Sequence, residues 1–378
     1  MIRKIFALAL ILRLAVLPWT LPRYDWGRAY PDTLQYEATA RSLRAGDGFA
    51  VGPRAKALRP PLYPLFLAVL QSAFGEGRAF ALAVLLTQCV LGAVTAALAA
   101  ALGGKWAGLA VAAHPELLLW PSLILSESLA ILLVTAALWA AFRARTGVRP
   151  LRWALGAGAL AGAAALTRAS LLPLAILVGL WLAFALRPAA GLACLGAGLL
   201  VLMPWTVRNR LVLGAWVPAT TSGGWDLYAQ CRNGADGGPI PDTAWPKEVL
   251  TMGELEADRF LKRASLDWIR AHPGRMLSLT WVRIRRTWSP VPNDEEHRTP
   301  GILALSLAAN LPLFALAAAA LLWRRPETWR WTLALLPILL LTAVHAVFTG
   351  SVRYRAPALP ALCILAASAL APRREAMP

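Results

Sequence analysis

The chain has 378 residues, of which 58% are hydrophobic and 15% are charged, and its formal net charge is +18. A soluble domain carries about 25% charged residues, so this composition excludes an ordinary soluble protein and favours one that crosses a membrane several times. The hydrophobicity also argues against a nucleic-acid partner. The surplus of basic residues that membrane proteins keep on their cytoplasmic side explains most of the charge.

Apolar runs long enough to cross a bilayer, roughly 20 residues, define the predicted spans. No small-x-small cleavage site follows the first run, so we predict a retained helix and not a signal peptide. The shorter apolar run 61–74 is assigned to the membrane interface. The sequence predicts an all-α polytopic protein with ten spans, at 5–21, 78–101, 104–120, 122–142, 153–167, 170–186, 189–206, 300–323, 329–349 and 355–371.

Ten spans place both termini on one side of the membrane, and the distribution of basic residues makes that side cytoplasmic. The basic residues assigned to it are Arg3, Lys4, Lys105, Arg143, Arg145, Arg149, Arg152, Arg187, Arg324, Arg325, Arg330, Arg373 and Arg374. We therefore predict a protein integral to the cytoplasmic membrane. Its parts are an N-terminal transmembrane module, 1–206, with a first extracytoplasmic loop, 22–77; an extracytoplasmic loop, 207–299; and C-terminal transmembrane helices, 300–378.

Amphipathic helices are predicted in both extracytoplasmic loops. In the first loop, a helix begins at Pro31 and ends before Gly46, with Tyr36, Ala40 and Leu43 on one face. In the second loop, one apolar stripe comprises Ala257, Phe260, Leu261, Ala264 and Trp268. A further stripe comprises Leu277, Trp281, Ile284 and Trp288, with Arg283, Arg285 and Arg286 beside it. The second stripe is typical of a basic interfacial helix that faces anionic headgroups.

One arginine lies where a charge is costly. Arg13 falls inside the first predicted span. A charged side chain at membrane depth nearly always faces the interior of a helical bundle and finds a polar partner there. We therefore expect Arg13 to contact a polar group of another helix.

Short motifs recur in an order that resembles a known family. They are Pro31-Asp32-Thr33 with Tyr36, Arg59-Pro60-Pro61-Leu62-Tyr63, Phe74-Gly75, Leu125-Ser126-Glu127, Leu166-Thr167-Arg168, Pro204-Trp205 with Arg208-Asn209, and Arg353-Tyr354-Arg355. Together, over nearly the whole chain, they resemble the C-type membrane glycosyltransferases (GT-C) of the protein-mannosyltransferase and aminoarabinose-transferase group. The chain departs from that pattern at Thr33, where many relatives have a second acid, and at Arg59, where lipid-modifying relatives have lysine.

The resemblance implies a GT-C-like bundle of about ten transmembrane helices with amphipathic juxtamembrane helices. It also implies sugar transfer from a polyprenyl-phosphate donor to an extracytoplasmic lipid, glycan or protein acceptor. Asp32 matches the catalytic aspartate of the family and would be the general base of an inverting displacement. The alternative is that Asp32 caps the helix that follows it. Glu127 would orient the acceptor or replace the missing second acid, and its alternative is a helix-start charge favoured by the helix dipole.

Basic and polar side chains in these motifs are candidates for binding the lipid phosphate and sugar, because arginine binds phosphate oxygens in a bidentate manner. The candidates are Lys56, Arg59, Tyr63, Arg168, Arg208, Asn209, Arg353, Tyr354 and Arg355. Arg59 and Arg353 stand first because their motifs match the family. The alternative for each cation is a side chain that extends to the headgroups as a membrane anchor.

No cofactor is predicted. The four histidines show no metal-ligand spacing, and no glycine-rich phosphate loop suggests a nucleotide-sugar or ATP site. Two other functions stay open. A lipid or solute transporter, or flippase, would carry broken helices with polar residues at the bilayer midplane, whereas most charges here fall at span ends and in the outer loops. A noncatalytic scaffold would use its long outer loop to bind a partner.

Overall fold

The computed structural model describes residues 1–23, 25–52, 55–238, 240, 244–324 and 328–370. The α-helices among them are α1 (Ile2–Arg23), α2 (Pro31–Ala45), α3 (Leu62–Phe74), α4 (Arg78–Ala113), α5 (Pro115–Leu119), α6 (Glu127–Thr146), α7 (Pro150–Ala165), α8 (Leu174–Ala185), α9 (Pro188–Leu213), α10 (Gly223–Gln230), α11 (Glu254–Ala271), α12 (Pro273–Thr287), α13 (Pro300–Ala319), α14 (Thr328–Val347) and α15 (Leu359–Leu370). The predicted cytoplasmic residues Arg325, Arg373 and Arg374, and the end of the last predicted span, lie outside the described residues.

Several of these helices have the length and composition of membrane spans. Among the described residues, five qualify: α1, α4, α6, α9 and the segment Pro300–Leu322. Shorter apolar helical segments occur at Leu62–Phe74, Ala169–Ala185 and Trp331–Val347. The chain is therefore an all-α protein with multiple long apolar helices, which is the composition of an integral membrane protein.

The longest helix, α4, reverses direction at Gly104, where φ is 81° and ψ is −173°. Beyond the reversal, Gly108 lies against Ala100 and the backbone of Ala96. In a straight helix those residues would be separated along the axis by about 12 and 18 Å, so α4 must fold into two antiparallel arms. These arms correspond to the separate predicted spans 78–101 and 104–120, although the second arm ends early and α5 completes it.

Arg13 finds its partners in the second arm of α4. Its guanidinium donates hydrogen bonds to the carbonyl oxygens of Ala9 (2.9 Å), Val111 (3.2 Å) and Ala112 (3.4 Å). The last carbonyls of a helix lack intrahelical donors, so the end of α4 supplies acceptors that Arg13 can satisfy. Gly92, on the first arm, leaves the space that the guanidinium fills. The expectation of a polar partner is confirmed, and that partner is backbone.

The helices predicted in the extracytoplasmic loops are present. In α2, Pro31 occupies the first turn, Tyr36 and Ala40 are buried, and Gly46 ends the helix in the left-handed conformation, at φ 83°. Proline fits the first helical turn because the amide hydrogen that it lacks would have no partner there. The second loop contains α11 and α12, and in α11 the side chains of Ala257 and Leu261 are buried as the stripe predicts.

The prediction for α12 is partly wrong. Leu277 and Trp281 are exposed over 72% and 62% of their surface, as an interfacial helix requires. Arg283, which was expected to face headgroups, is fully buried and donates hydrogen bonds to the carbonyl oxygens of Gln230 (2.7 Å) and Ala346 (3.1 Å). The helix period places this arginine on the inner face, where it connects α12 to α10 and α14. Arg285 remains exposed.

Two apolar clusters make up the core of the bundle. The first is formed mainly by α1, α3, α4 and α15, and the second mainly by α6, α7, α8 and α14. A 3₁₀ segment, Val352–Ala358, connects α14 to α15. Residues of this segment, the start of α6 and the start of α2 come together where the two clusters adjoin, and this is where the charged side chains of the motifs meet.

Candidate active site

A cleft of about 440 Å³ lies between α2, the turn after α7, the start of α10 and the end of α14. The charged and aromatic side chains that line it include Asp32, Tyr36, Arg59, Arg168, Asp226, His345, Arg353 and Tyr354. Six of these eight belong to the sequence motifs quoted above, and all of the six except Tyr36 are predicted site residues. The cleft therefore gathers residues that are separated by more than 300 positions in the chain.

Alternating charges connect the walls of this cleft. Asp32 accepts a hydrogen bond from Arg59 Nη2 at Oδ1 (2.5 Å) and one from Arg353 Nη2 at Oδ2 (2.8 Å). Arg353 Nε also donates to Oε1 of Glu127, and Arg168 Nη1 donates to the same oxygen at 2.8 Å. Three guanidinium groups thus surround two carboxylates. Planar guanidinium groups match the oxygens of an anion, so these three arginines are suited to binding one.

Local structure places Asp32 at this point. The residue before α2 is Tyr30, which makes no side-chain capping bond, and Asp32 lies one position inside the helix. Its carboxylate is used by the two arginines, so the capping alternative is not what the structure shows. Thr33 Oγ1 donates to the carbonyl oxygen of Ile124 (3.0 Å), which fixes α2 against the turn before α6.

Glu127 is the first residue of α6 and is fully buried. A buried carboxylate is very costly unless it is paired and hydrogen-bonded. Arg168 and Arg353 both pair with Oε1, while Oε2 has no hydrogen-bond partner among the residues described. Glu127 therefore lies at a helix start and also contacts two cations. Through these contacts it holds Arg168 and Arg353 at a fixed separation.

Aromatic rings support the guanidinium groups of the cleft. Arg59 lies over the ring of Tyr36 (5.7 Å), and Arg168 lies over that of Tyr354 (5.6 Å). Arg353 lies over Tyr30 at 4.9 Å. Such contacts stabilise a partly desolvated cation by about 0.5–2 kcal/mol and also restrict its orientation.

The two arginines change the ionisation of Asp32. Burial raises the pKa of this carboxyl, but Arg59 and then Arg353 outweigh the effect of burial, so its pKa lies below the ordinary value. The side chain keeps 23% of its surface exposed, so it is accessible from the cleft. Asp32 is consequently an ionised carboxylate that is held by the cations on either side of it.

Six of the eleven predicted site residues do not line the cleft: Glu127 is buried against Arg168 and Arg353, and five others make their contacts elsewhere. Tyr63 is buried and donates to Gln88 (3.0 Å). The side chain of Arg208 donates to the carbonyl oxygens of Lys56 (2.7 Å) and Phe49 (3.0 Å), and that of Asn209 donates to Val217. Lys56 is exposed and does not line the cleft. These contacts connect the first loop to α9 and to the segment that follows it.

Arg355 is the fifth of these other residues, although it is two positions from Arg353. It is fully buried, donates to Glu116, to the carbonyl oxygen of Ser289 (2.6 Å) and to Asn310 Oδ1 (3.1 Å). The 3₁₀ segment turns these two arginines to different sides. The guanidinium of Arg355 connects α5, α13 and the end of α12. None of its N–H donors is left free to point into the cleft.

A glutamate that the motifs did not indicate holds the outer wall of the cleft. Glu254, the first residue of α11, accepts hydrogen bonds from the backbone nitrogens of Lys56 (2.6 Å) and Ala57 (2.8 Å) and from Thr221 Oγ1 (2.5 Å). One carboxylate thus connects the two long loops of the predicted topology, 22–77 and 207–299. The sequence offered no signal for it, because the pairing joins residues about 200 positions apart.

We expect Glu254→Ala to loosen this wall. A hydrogen bond to a charged group contributes about 1.5–3 kcal/mol, so amide hydrogen exchange at Lys56 and Ala57 should accelerate by about tenfold or more. Exchange mass spectrometry in detergent or nanodiscs measures it. Glu256→Ala, an exposed position of the same helix, is the control. Unchanged exchange in Glu254→Ala would contradict the assignment.

His345 and Asp226 also line the cleft and were not predicted. The ring of His345 stacks on Tyr354 with centroids 4.7 Å apart, and its Nδ1 contacts the carbonyl oxygen of Thr349 (2.9 Å). Asp226 receives a hydrogen bond from Ser222 Oγ (2.9 Å). Within the described ranges, no three or more histidine, cysteine, aspartate or glutamate residues are grouped closely enough to hold a metal ion.

Comparisons with known proteins show which solved structures share this fold. No protein-family model matches the chain, and no curated protein matches it. A solved structure of the archaeal oligosaccharyltransferase AglB from Archaeoglobus fulgidus, in complex with an inhibitory peptide and a dolichol-phosphate, superposes with a TM-score of 0.58 at 12% identity, over 98% of this chain and 50% of the AglB chain. The apo form gives a TM-score of 0.56 at 11% identity, with the same coverage.

A solved structure of ArnT from Cupriavidus metallidurans, bound to undecaprenyl phosphate, superposes with a TM-score of 0.41 at 15% identity, over 95% of this chain and 77% of that one. The chain spans about half the length of the AglB chains that it matches. At these identities the AglB comparison shows a shared fold, which agrees with the expectation of a helical membrane bundle.

Proposed function

We propose that this protein is an integral membrane glycosyltransferase that transfers a sugar from a polyprenyl-phosphate donor to an extracytoplasmic lipid, glycan or protein. The observation that carries the proposal is the carboxylate of Asp32, held between Arg59 and Arg353 in a cleft of a membrane bundle. The fold shared with an oligosaccharyltransferase solved with dolichol-phosphate supports the lipid-linked donor. Membrane lipids surround the bundle, and no nucleic acid is involved.

The donor phosphate binds to the guanidinium groups that now hold Asp32. Arg59 and Arg353 each present a planar set of N–H donors, which matches the oxygens of a phosphate. Both contact the carboxylate of Asp32, so a phosphate that displaces this carboxylate meets two guanidinium groups. Glu127 keeps Arg353 and Arg168 in place, so the donor meets preorganised cations and not mobile ones.

Asp32 then acts as the general base. The acceptor hydroxyl attacks the anomeric carbon from the face opposite the phosphate, and its proton passes to the carboxylate of Asp32. The bond between the anomeric carbon and the phosphate oxygen breaks, and the polyprenyl phosphate leaves with the electron pair. One such displacement inverts the anomeric centre. A positioned base contributes about 10²- to 10⁴-fold to the rate of such a step.

The proposed topology has about ten spans, with both termini cytoplasmic and the cleft on the extracytoplasmic side. The five long apolar helices and the reversal of α4 support it, as does the bias of basic residues in the connectors. The domain division into 1–206, 207–299 and 300–378 follows from the same topology. Cysteine accessibility from each side of a membrane vesicle, at single cysteines introduced into the connectors, tests it.

A transfer assay tests the activity. Purified protein in nanodiscs is mixed with radiolabelled polyprenyl-phosphate sugars of several types and with a membrane extract as the source of acceptor. Time-dependent loss of label from one carrier, absent with empty nanodiscs, is the expected result. A transporter or flippase would move the lipid and leave the bond between sugar and phosphate intact. Intact carriers throughout, for a wide panel of sugars and extracts, would refute the proposal.

The pH dependence of transfer reports the state of Asp32. Because Arg59 and Arg353 lower its pKa, the base stays ionised below the ordinary aspartate pKa of about 3.9, and the acid limb of kcat/KM should lie below that pH. In Arg59→Gln one of the stabilising charges is lost, so this limb should move to higher pH. Arg28→Gln, which removes the partner of Glu37 on the same helix, should leave the limb in place. An unshifted limb in Arg59→Gln would argue against Asp32 as the titrating base.

A further inference from the structure

The outer wall of the cleft carries a carboxylate whose role the transfer step leaves open. Asp226 lies in the first turn of α10, lines the cleft and is exposed. Ser222 Oγ donates to its Oδ2 at 2.9 Å, while its Oδ1 accepts no hydrogen bond among the described residues. A carboxylate can accept about four hydrogen bonds. Most of the accepting capacity of Asp226 is therefore available to a ligand in the cleft.

This carboxylate is held in a rigid position. The backbone nitrogen of Gly224 donates to Asp258 Oδ1 (2.6 Å), and a side chain at residue 224 would overlap the backbone of Asp258. Before α10, Thr220 Oγ1 donates to the carbonyl oxygen of Leu58 (2.5 Å) and Thr221 N donates to that of Ala57 (3.0 Å). Acceptors that are already ordered lose little conformational freedom when a ligand binds.

Asp226 also lies near the cations proposed for the phosphate. Both Arg59 and Asp226 line the cleft. Burial lowers the pKa of Arg59, but Tyr36, then Asp32 and Asp226, raise it above its ordinary value. The cleft thus has a wall of guanidinium donors and, beside it, a wall of oxygen acceptors. A ligand that is anionic at one end and carries hydroxyl groups next to the anion fits both walls.

We propose that Asp226, supported by Ser222, is the subsite for the sugar hydroxyls of the polyprenyl-phosphate sugar, which it recognises by accepting their hydrogen bonds. The inference rests on the proposed function, since the sugar is joined to the phosphate through its anomeric carbon. Its hydroxyls must therefore lie within one ring of the phosphate. Hydrogen bonds to a charged acceptor are among the stronger ones, so Asp226 would determine which sugars are bound and not merely that a lipid phosphate is bound.

The test compares, for each protein, the affinity for the bare lipid phosphate with the affinity for the same lipid carrying a sugar. Dissociation constants are measured in nanodiscs for undecaprenyl phosphate and for undecaprenyl-phosphate glucose, mannose, galactose and arabinose. Wild type should bind at least one sugar-bearing lipid more tightly than the bare phosphate. In Asp226→Ala this preference should fall by about tenfold or more, the cost of losing a hydrogen bond to a charged group, while affinity for the bare phosphate is kept. Asp226→Asn, a milder change of shape, should show a smaller fall in the same direction.

Asp267→Asn is the matched control, because Asp267 is 71% exposed on α11 and pairs with Arg270 outside the cleft. Its preference should equal that of wild type. Equal preferences in wild type and Asp226→Ala would overturn the proposal, and so would wild type that binds no sugar-bearing lipid more tightly than the bare phosphate. Failure of the proposed function looks different: the preference depends on Asp226, yet no sugar leaves its carrier in the transfer assay.

Discussion

Asp32→Asn is expected to lower sugar transfer by about 10²- to 10⁴-fold, the contribution of a positioned general base, and at the same time to tighten binding of undecaprenyl phosphate. The second effect follows from the geometry. In the free protein, the carboxylate of Asp32 accepts hydrogen bonds from Arg59 (2.5 Å) and Arg353 (2.8 Å). A phosphate must displace the carboxylate from these donors, whereas an asparagine amide competes for them without charge. A slower transfer together with tighter binding of undecaprenyl phosphate would identify Asp32 as the base. A residue that only helped to bind the phosphate would weaken that binding when replaced.

The measurements are initial rates of label release and dissociation constants for the bare lipid phosphate, both in nanodiscs. Glu37→Gln is the matched control, since Glu37 is also on α2 and is also paired with an arginine, Arg28, at 3.0 Å. It should retain transfer and leave phosphate affinity unchanged. Transfer that survives in Asp32→Asn would exclude Asp32 as the base. Weaker phosphate binding in this variant would mean that Asp32 does not compete with the phosphate for the two arginines.

The same competition implies an order of events. While the carboxylate is held by two cations its pKa is low, and a weakly basic group accepts a proton poorly. A donor phosphate that takes over Arg59 and Arg353 supplies negative charge beside Asp32 and withdraws its positive partners. Both changes raise the pKa of the carboxyl. Under the proposed function, donor binding would therefore prepare Asp32 as the base, and the acceptor would be deprotonated only when a donor is present.

Sequence reasoning found those parts of the fold and site that leave a local pattern. The apolar runs, the proline and glycine at the ends of α2 and the two stripes of the second loop each lie within about 20 residues. They predicted helices where helices are present, although only five helices among the described residues, against ten predicted spans, are long and apolar enough to cross a membrane. The side of α12 that Arg283 occupies was predicted wrongly, because an arginine beside an apolar stripe can face lipid headgroups or backbone carbonyls and the pattern is the same. What decides between them is the packing of α10 and α14 against that helix.

The site divides in the same way. Asp32, Arg59, Glu127, Arg168 and Arg353 belong to motifs and the structure brings them together. Arg355 belongs to the same motif as Arg353 yet has a different environment, because a 3₁₀ turn directs neighbouring side chains to different sides. Glu254 has no motif, since its contacts join loops that meet only in the folded chain. Asp226 has only a local contact, with Ser222, and its place in the cleft depends on the packing of α10. Contacts between residues far apart in the chain were therefore the part that could not be predicted from a single sequence.

Arg355→Met is expected to destabilise the bundle by about 3–5 kcal/mol, the cost of removing one partner of a buried ion pair. Arg355 is fully buried, and Glu116 would keep only Asn310 Nδ2 (3.2 Å) as a hydrogen-bond donor among the residues described. The loss should not depend on the substrate, because this arginine makes no contact with the cleft. Adding Glu116→Gln removes the stranded charge, so the double variant should recover more than half of the lost stability.

Unfolding in mixed micelles of dodecyl maltoside and increasing SDS measures the free energy, and the four cysteines, all buried and free, allow a thiol-reactive dye to report it. Arg285→Met, at an exposed position of α12, is the control and should change stability by no more than about 0.5 kcal/mol. If Arg355→Met unfolds at the wild-type SDS fraction but binds lipid phosphate more weakly, Arg355 is a ligand of the donor and its pairing with Glu116 is incidental. If stability falls and the double variant restores it, the two arginines of the motif have separate tasks, with Arg353 holding charge at the cleft and Arg355 holding the helices that form it.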